Sequence, residues 1–277
     1  AEGLGLPLSS LEIELGPSQV EAVFDATDAL TAADNMVLFR SSVQQALRRA
    51  GYHATFMCRP PFEHIMSSGW HLHQSLVENN TGRNAFMRLA PHPDAQACDA
   101  QHSLSELGAH YLAGLLHHAK GMTVMCTPTA NGFGRFRPNA LAPQSILWGL
   151  DNRGAMLRVI GSPQDSATRI ENRLGEPAAN PYLYMAAQIY AGLSGIEQKL
   201  VAPPATQSPY GDHADVARIP SNLRDALCAL EQDSAMREGF GDAFVRYYTC
   251  LKNAELQRYE AAEDKHEFQR REYFSRI

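Results

Sequence analysis

Short stretches of alternating apolar and polar residues recur along the chain. Two of them, residues 11–15 and 21–24, flank a Gly16-Pro17 pair. Alternation with a period of two residues on both sides of such a turn predicts an antiparallel strand pair. Residues 53–57 and 156–160 are short, mainly apolar stretches. They predict two further short strands.

Two other alternating stretches, residues 69–76 and 168–174, carry chemically active side chains. Successive strand side chains point to opposite faces, so each stretch has an apolar and a polar face. The polar faces carry His71, His73 and Ser75 in the first stretch and Arg169, Glu171 and Arg173 in the second. Such faces indicate a site that binds phosphate and metal ions.

Taken singly, either stretch is more typical of the solvated face of an antiparallel strand. Further residues favour a site. Glu14 and Glu21 belong to the predicted strand pair, and Arg135, Arg153 and Arg158 stand near glycine or proline turns. Five arginines together with carboxylates and histidines suit a ligand that is rich in phosphate oxygens.

A period near 3.6 residues predicts helices over residues 28–50, 103–120, 142–150 and 180–200. The second helix opens with Ser103-Leu-Ser-Glu106, which fits a capping box, and we expect it to stop at Gly121. A proline-bearing linker over residues 201–220 follows the fourth helix. The rest predicts two or three helices that end in a charged, coiled-coil-like tail.

Residues 128–143 form a long stretch rich in glycine, asparagine, proline and arginine. Long connections of this kind are often lids or binding loops. The chain shows no internal repeat and no glycine-rich turn of a dinucleotide fold, so we predict the α+β class. We expect a catalytic α+β domain over residues 1–200. Residues 201–277 would be a C-terminal helical extension of the same domain.

Composition excludes several classes of protein. With 277 residues, of which 44% are hydrophobic, the chain can form a sizeable core. Its net charge of −6 argues against nucleic acid or an anionic membrane as the main partner. Any basic patch is therefore local, which fits arginines gathered in a pocket.

The five cysteines are scattered along the chain and form no CxxC motif. They indicate neither a zinc site nor a disulfide framework. We predict buried thiols in a reducing compartment, which is a cytoplasmic location. No uninterrupted apolar run is long enough to predict a transmembrane helix, and no signal peptide is visible.

Five motifs, in order along the chain, resemble those of the glutamine synthetase catalytic domain. Residues 14–21 resemble part of HHEVAPGQHE, residues 68–76 resemble GSGMHxHxSL, residues 131–143 resemble NSYKRLVPGYEAP, residues 152–160 resemble NRSASIRIP, and residues 167–183 resemble ARRIEVRFPDPAANPYL. This resemblance implies the glutamine synthetase/guanido kinase-like fold, with a curved antiparallel sheet flanked by helices.

The resemblance also implies a ligase. ATP would phosphorylate the γ-carboxylate of glutamate, and an amine would then displace the phosphate. Two or more divalent cations, Mg²⁺ or Mn²⁺, would hold the phosphates. Because phosphoryl transfer depends on positioning and charge neutralisation, the arginines should carry much of the catalysis.

Motif position implies a role for each candidate residue. One metal would be bound by Glu14 and Glu21, and the other by His71 and Glu171. The nucleotide would be contacted by His73, Ser75, Arg158 and Arg169. Arg153 would stabilise the transferring phosphoryl group, and glutamate would be held by Arg173 and by Arg135, which would also be catalytic. The alternative for each residue is a surface or structural ion pair.

Departures from the motifs concern the substrate side. Leu141 stands where the family has the glutamate that takes a proton from ammonium, and leucine cannot accept a proton. Trp70 replaces a methionine next to Gly69. We expect Gly69, Trp70 and Leu141 to contact the substrate and to favour an organic amine over ammonium, which would give a γ-glutamyl amide. A glutamine synthetase and a non-catalytic relative are the alternatives.

The family resemblance implies partners too. Glutamate, ATP and an amine would be the substrates, and the protein would be a homo-oligomer, by family habit a ring dodecamer. Family members also carry an N-terminal β-grasp-like domain and a first catalytic strand with an ExE pair. Neither occurs in these 277 residues, so we expect the chain to be part of a longer protein.

Overall fold

The computed structural model of the chain describes residues 2–90, 100–137, 142–211 and 213–277. The strands in these residues are β1 (Leu8–Ile13), β2 (Val20–Phe24), β3 (Leu72–Gln74), β4 (Trp148–Leu150), β5 (Leu157–Ile160) and β6 (Arg169–Asn172). The helices are α1 (Ala29–Arg49), α2 (Glu106–His117), α3 (Ala119–Cys126), α4 (Pro181–Glu197), α5 (Leu223–Gln232), α6 (Ser234–Phe240), α7 (Asp242–Ala261) and α8 (Lys265–Gln269).

Strands β3 to β6 form one open sheet in the order β3-β6-β5-β4. The pairs β3–β6 and β6–β5 are antiparallel, and β4–β5 is parallel. The α+β class is confirmed, but the sheet is mixed rather than wholly antiparallel. The parallel pair arises because residues 151–156 return the chain to the start of β4, where β5 begins beside Trp148.

The predicted strand pair at the N-terminal end is confirmed as the hairpin β1–β2. Its turn is closed by a hydrogen bond from Gln19 N to Gly16 O, 3.1 Å long. Several of its apolar side chains face outward, among them Ile13, which is 93% exposed. One face of the hairpin therefore lies open.

Helices α1 and α4 are confirmed, and each begins directly after a capping residue. The Asp28 carboxylate accepts a hydrogen bond from Thr31 N, and the Asn180 side chain accepts from Tyr182 N and Leu183 N. Such caps satisfy backbone donors that the first turn leaves free.

The predicted stop at Gly121 is wrong. Helix α2 begins after Ser105, whose hydroxyl accepts from Gly108 N, and α3 runs through Gly121. A Cβ at Gly121 would stand 2.4 Å from Asp233 Oδ2. Close packing against the start of α6 therefore explains this glycine.

Two other element predictions are wrong. Residues 142–150 form no helix; their C-terminal end is strand β4, and Ile146 N donates to Ala217 O over 2.8 Å. Long-range backbone pairing overrides the local pattern there. Residues 53–57 belong to no strand; Phe56 N donates to the carbonyl of Ile277 instead.

The core lies between the open sheet and the helices. Leu157 and Ile170 of the sheet and Leu230 and Met236 of the C-terminal helices belong to one buried cluster. Because residues on both sides of position 200 share this core, the packing supports our proposal that residues 201–277 extend the same domain.

The cysteine prediction holds in part. Cys58 and Cys126 are buried thiols, whereas Cys228 and Cys250 are exposed on α5 and α7, so the prediction of buried thiols is wrong for these two. Cys98 lies outside the described residues. In the described ranges, no helix combines the length and the apolar character needed to cross a membrane.

Candidate active site

The register of the open sheet brings the two predicted polar faces together. His73 on β3 lies directly opposite Glu171 on β6, and Glu171 lies opposite Arg158 on β5. Directly opposed residues of neighbouring strands share a face. An imidazole, a carboxylate and a guanidinium thus form one row across three strands.

Glu171 is the centre of this face and is only 1% exposed. Its Oε2 accepts a hydrogen bond from Arg158 Nη1 over 3.1 Å, and its Oε1 accepts one from Arg173 Nη1. His71 Nδ1 lies 3.3 Å from Oε1. Two guanidinium donors offset the cost of burying this carboxylate.

Both histidines are held in the neutral form. Burial, followed by the positive charges of Arg173 and Arg135, lowers the pKa of His71 well below its usual value. Burial also lowers the pKa of His73, although Glu171 opposes the shift, and Arg169 Nε donates to its Nδ1 over 3.1 Å. Neutral imidazole is the form that binds metal ions.

Arg135 reaches the same face from a short 3-10 turn, Gly132–Arg135. It is 3% exposed, and its Nη2 donates to Arg173 O over 3.0 Å and to Leu174 O. A Cβ at Gly69 would stand 2.7 Å from Arg135 Nη1 and 2.8 Å from a His71 ring nitrogen. A residue without a side chain is therefore needed at position 69 for the guanidinium and imidazole to stand so close.

The hairpin contributes the two remaining carboxylates. Gln19 Nε2 donates to Ser68 Oγ over 2.9 Å and so ties the hairpin to the segment before His71. Although Glu21 is largely exposed, partial desolvation raises its pKa, and a hydrogen bond with Glu14 and the negative charge of Glu14 add to the shift. The negative charge of Glu171 also contributes.

These residues offer metal ligands as two pairs. Glu14 with Glu21 gives two carboxylates, and His71 with Glu171 gives a neutral imidazole and a carboxylate. Among residues 2–90, 100–137, 142–211 and 213–277, no cluster of three or more His, Cys, Asp or Glu could hold a metal. Hard divalent cations prefer oxygen ligands and accept imidazole. The donor chemistry fits, with each pair supplying part of a coordination shell.

Arg153 and Ser75 are not brought into contact with this cluster. Arg153 is exposed on the turn between β4 and β5 and forms no hydrogen bond or ion pair with any described residue. Ser75, just after β3, is also exposed and has no hydrogen bond to the described part of the chain. Both assignments stay predictions from motif position.

The structure places Trp70 away from the polar face. Its ring packs edge-on against Tyr184 of α4, and the two ring centroids are 5.1 Å apart. The Arg40 guanidinium carbon of α1 lies 5.0 Å from the Trp70 ring centroid. His71, the next residue, contacts Glu171 instead. Its contacts do not support the expected role of Trp70 beside the substrate, because its ring faces α1 and α4. Leu141 lies outside the described residues.

Sequence reasoning missed two residues. Asp151 accepts from Arg158 Nε over 2.9 Å and so orients that arginine; nothing in the local sequence marks this pair. Glu176 is 0% exposed and accepts from Thr129 N and Thr129 Oγ1 over 2.9 and 2.8 Å. Burial raises the pKa of Glu176 to about 7. Glu176 lies within the motif at residues 167–183, and this position is the sequence signal that could have identified it.

Comparison with known proteins identifies the family of this chain. The family model described as glutamine synthetase, catalytic domain, matches residues 1–271. A γ-glutamylanilide synthase from an Acinetobacter species is 45% identical over 262 residues, which cover 94% of this chain and 50% of the relative. A glutamine synthetase of Thermus thermophilus is 35% identical over 263 residues, which cover 92% of this chain and 56% of the relative.

A γ-glutamylethanolamide synthetase of Streptomyces coelicolor is 32% identical over 261 residues, covering 94% of this chain and 52% of the relative. The solved structure titled apo GmaS without ligand superposes with a TM-score of 0.82 at 34% identity, over 98% of this chain and 60% of that one. The chain spans about half the length of the curated relatives it matches. By sequence and by fold, this chain belongs to the glutamine synthetase family.

Proposed function

We propose that the protein is an ATP-dependent carboxylate–amine ligase that forms a γ-glutamyl amide from glutamate and an organic amine through γ-glutamyl phosphate. The observation that carries this proposal is the sheet face around Glu171, where Arg158, Arg173 and His71 contact its carboxylate. We call this surface the Glu171 face. A buried carboxylate with two guanidiniums and a neutral imidazole suits the binding of phosphate oxygens and of the cations that accompany them.

In this proposal the chain's own residues position and neutralise charge. Arg158 and Arg169 hold the nucleotide phosphates, together with His73 and Ser75, and Arg153 reaches the transferring phosphoryl group. Fixed guanidiniums stabilise developing negative charge without reorganising during the reaction. Bound Mg²⁺ or Mn²⁺ would neutralise the phosphate oxygens, held by Glu14 and Glu21 in one place and by His71 and Glu171 in the other.

In this proposal glutamate is held by Arg135 and Arg173. Arg135 and Arg173 are both buried; Arg135 Nη2 donates to the Arg173 carbonyl and Arg173 Nη1 donates to Glu171, so both guanidiniums are held in place as a rigid pair. A rigid pair loses little conformational freedom when a carboxylate binds. Gly69 leaves the space that this arrangement needs.

An organic amine is preferred to ammonium for two reasons. Leu141 replaces the acidic residue of the family motif, and leucine neither accepts a proton nor stabilises a cation. Two of the similar proteins are named as γ-glutamylanilide and γ-glutamylethanolamide synthetases. Trp70 contributes no argument, since its half-buried ring packs against Arg40 and Tyr184.

We also propose a cytoplasmic homo-oligomer, by family resemblance a ring dodecamer. The exposed apolar face of the hairpin supports association, because soluble proteins rarely leave such faces uncovered. Light scattering after size-exclusion chromatography would test this assembly, and a monomer would contradict it.

The decisive experiment is phosphate release by the full-length protein with ATP, glutamate and Mg²⁺, comparing ammonium with alkyl, aryl and polyamine substrates. We expect release with one organic amine and little with ammonium. Ammonium as the best acceptor would make the protein a glutamine synthetase. No release with any acceptor would favour a non-catalytic relative.

The variant Leu141→Glu tests the amine argument separately. Restoring the carboxylate should shift the preference toward ammonium, while ATP binding measured without an amine stays unchanged. An unaltered amine profile would show that Leu141 does not select the acceptor.

A further inference from the structure

A cavity of about 890 Å³ lies next to the Gly132–Arg135 turn. Its walls come from the segment at residues 59–65, from that turn, and from the ends of α5, α7 and α8. None of the residues assigned above to metal, nucleotide or glutamate lines it. The cavity is therefore separate from the Glu171 face.

Two arginines converge on one wall of this cavity. Arg59 Nε and Arg137 Nη2 lie 3.5 and 3.9 Å from the point where a Cβ of Gly134 would stand. Like charges this close repel each other. Partial burial lowers the pKa of Arg59, and the positive charge of Arg137 lowers it further.

Among the described residues no carboxylate forms an ion pair with either arginine, although Glu63 also lines the cavity. Arg59 donates to the hydroxyl of Ser67, and Arg137 forms no side-chain hydrogen bond or ion pair there. Residues 138–141, which follow Arg137, include no acidic residue. By contrast, Arg224 on the same cavity is paired with Glu260 over 2.7 Å. An uncompensated guanidinium pair attracts an anion.

Apolar side chains form part of the wall, which also includes polar residues such as Glu63 and Asn131. Phe62, Ile65 and Phe133 line the cavity together with the two arginines. A cavity of this size is far larger than an inorganic ion needs. Guanidinium groups bind carboxylates in a bidentate manner and also stack on aromatic rings. The site thus suits an anion with an apolar, flat body.

The pair departs from the family motif. In the family motif NSYKRLVPGYEAP, which residues 131–143 resemble, lysine corresponds to Gly134 and valine to Arg137. The glycine opens the space in which the two guanidiniums meet, and Arg137 supplies the second charge.

We propose that Arg59 and Arg137 bind the carboxylate of an aromatic organic acid in this cavity. The proposal is independent of the proposed ligase function, because the binding needs neither ATP nor glutamate. Inorganic phosphate offers similar oxygens without the apolar body, so it serves to distinguish the two kinds of anion.

The test is calorimetric titration of the full-length protein with benzoate, acetate and inorganic phosphate, in the absence of nucleotide. We expect benzoate to bind more tightly than acetate or phosphate. Arg137→Gln should weaken benzoate binding at least about tenfold, since a hydrogen bond to a charged group contributes roughly 1.5–3 kcal/mol.

Arg224→Gln is the matched control, because it removes an arginine of the same cavity that already has a carboxylate partner. It should leave benzoate binding unchanged. Both replaced side chains are exposed, so both variants should fold, and thermal unfolding verifies this. Equal weakening by the two variants, tighter binding of phosphate than of benzoate, or no saturable binding at millimolar benzoate would each overturn the proposal.

Discussion

The open sheet and the hairpin each bring carboxylates to the candidate site, but in opposite electrostatic settings. On the sheet, Glu171 is buried and paired with Arg158 and Arg173. On the hairpin, Glu14 and Glu21 lie near the surface beside each other, and their mutual repulsion helps to raise the pKa of Glu21.

This difference separates two ways of preparing a site. The sheet supplies its own countercharges, so its geometry is organised before any ligand arrives. The hairpin supplies uncompensated negative charge, which a divalent cation would stabilise. The following experiments test that contrast, from the largest expected effect to the smallest.

Glu171→Ala should abolish ATP turnover and also destabilise the protein. Arg158 and Arg173 would lose their shared acceptor, and breaking a buried pair on one side costs about 3–5 kcal/mol. Urea unfolding and phosphate release measure the two effects. Glu14→Ala on the hairpin should lower turnover at limiting Mg²⁺ with a much smaller loss of stability. Equal losses of stability in the two variants would remove the contrast.

Arg153→Ala should lower turnover by about a thousandfold, as expected for an arginine that stabilises the transferring phosphoryl group. Because Arg153 is exposed and without a partner in the described part of the chain, the free energy of unfolding should change by less than about 0.5 kcal/mol. Arg48→Ala, an exposed arginine at the end of α1, is the control and should retain full turnover. Normal turnover in Arg153→Ala would refute its assignment.

Glu176 extends the comparison to a buried carboxyl with no guanidinium hydrogen bond. Its pKa rises from 4.5 in the unfolded chain to about 7 in the folded one, so the folded state binds its proton more tightly. Stability from this group is complete below pH 4.5 and is lost as the pH rises through about 7. The total loss is about 3 kcal/mol.

Glu176→Gln should flatten this dependence, so its free energy of unfolding should change less between about pH 4 and about pH 8.5, a range that includes both pKa values. Urea unfolding at both pH values provides the measurement. A wild-type protein that is as stable at high pH as at low pH would show that Glu176 remains ionised in the fold.

Glu21→Gln should give the smallest effect. A raised folded pKa means that wild-type stability increases as the pH falls from neutral toward the unfolded value of 4.5. Without divalent cations, the variant should therefore melt slightly higher than wild type at neutral pH, and this gain should vanish under acid conditions. The Mg²⁺ concentration for half-maximal turnover should rise. A lower melting temperature at neutral pH would argue against repulsion on the hairpin.

Much of the fold was visible in local patterns. Apolar periodicity predicted helices α1 and α4 correctly, and short strand-like stretches predicted β3, β5 and β6. The failures share one cause. Gly121 serves a contact with α6, and residues 146–150 bond to distant segments, so tertiary contacts override local preference at both places.

The candidate site was predictable to the same extent. Residues that share one strand face could be grouped from alternation, and motif position added Glu14, Glu21 and Arg135. The orientation of the Trp70 ring follows from its contacts with α1 and α4, which local sequence does not encode. The ion pair between Asp151 and Arg158 depends on how the turn after β4 folds back.

The sequence by itself determined which side chains share a face and which family the motifs resemble, because alternation and motif spacing are local properties. Only the tertiary structure decided that His73, Glu171 and Arg158 form one row, and that Arg59 and Arg137 meet at Gly134. Strand register and side-chain approach depend on packing between segments far apart in the chain, so no local pattern specifies them.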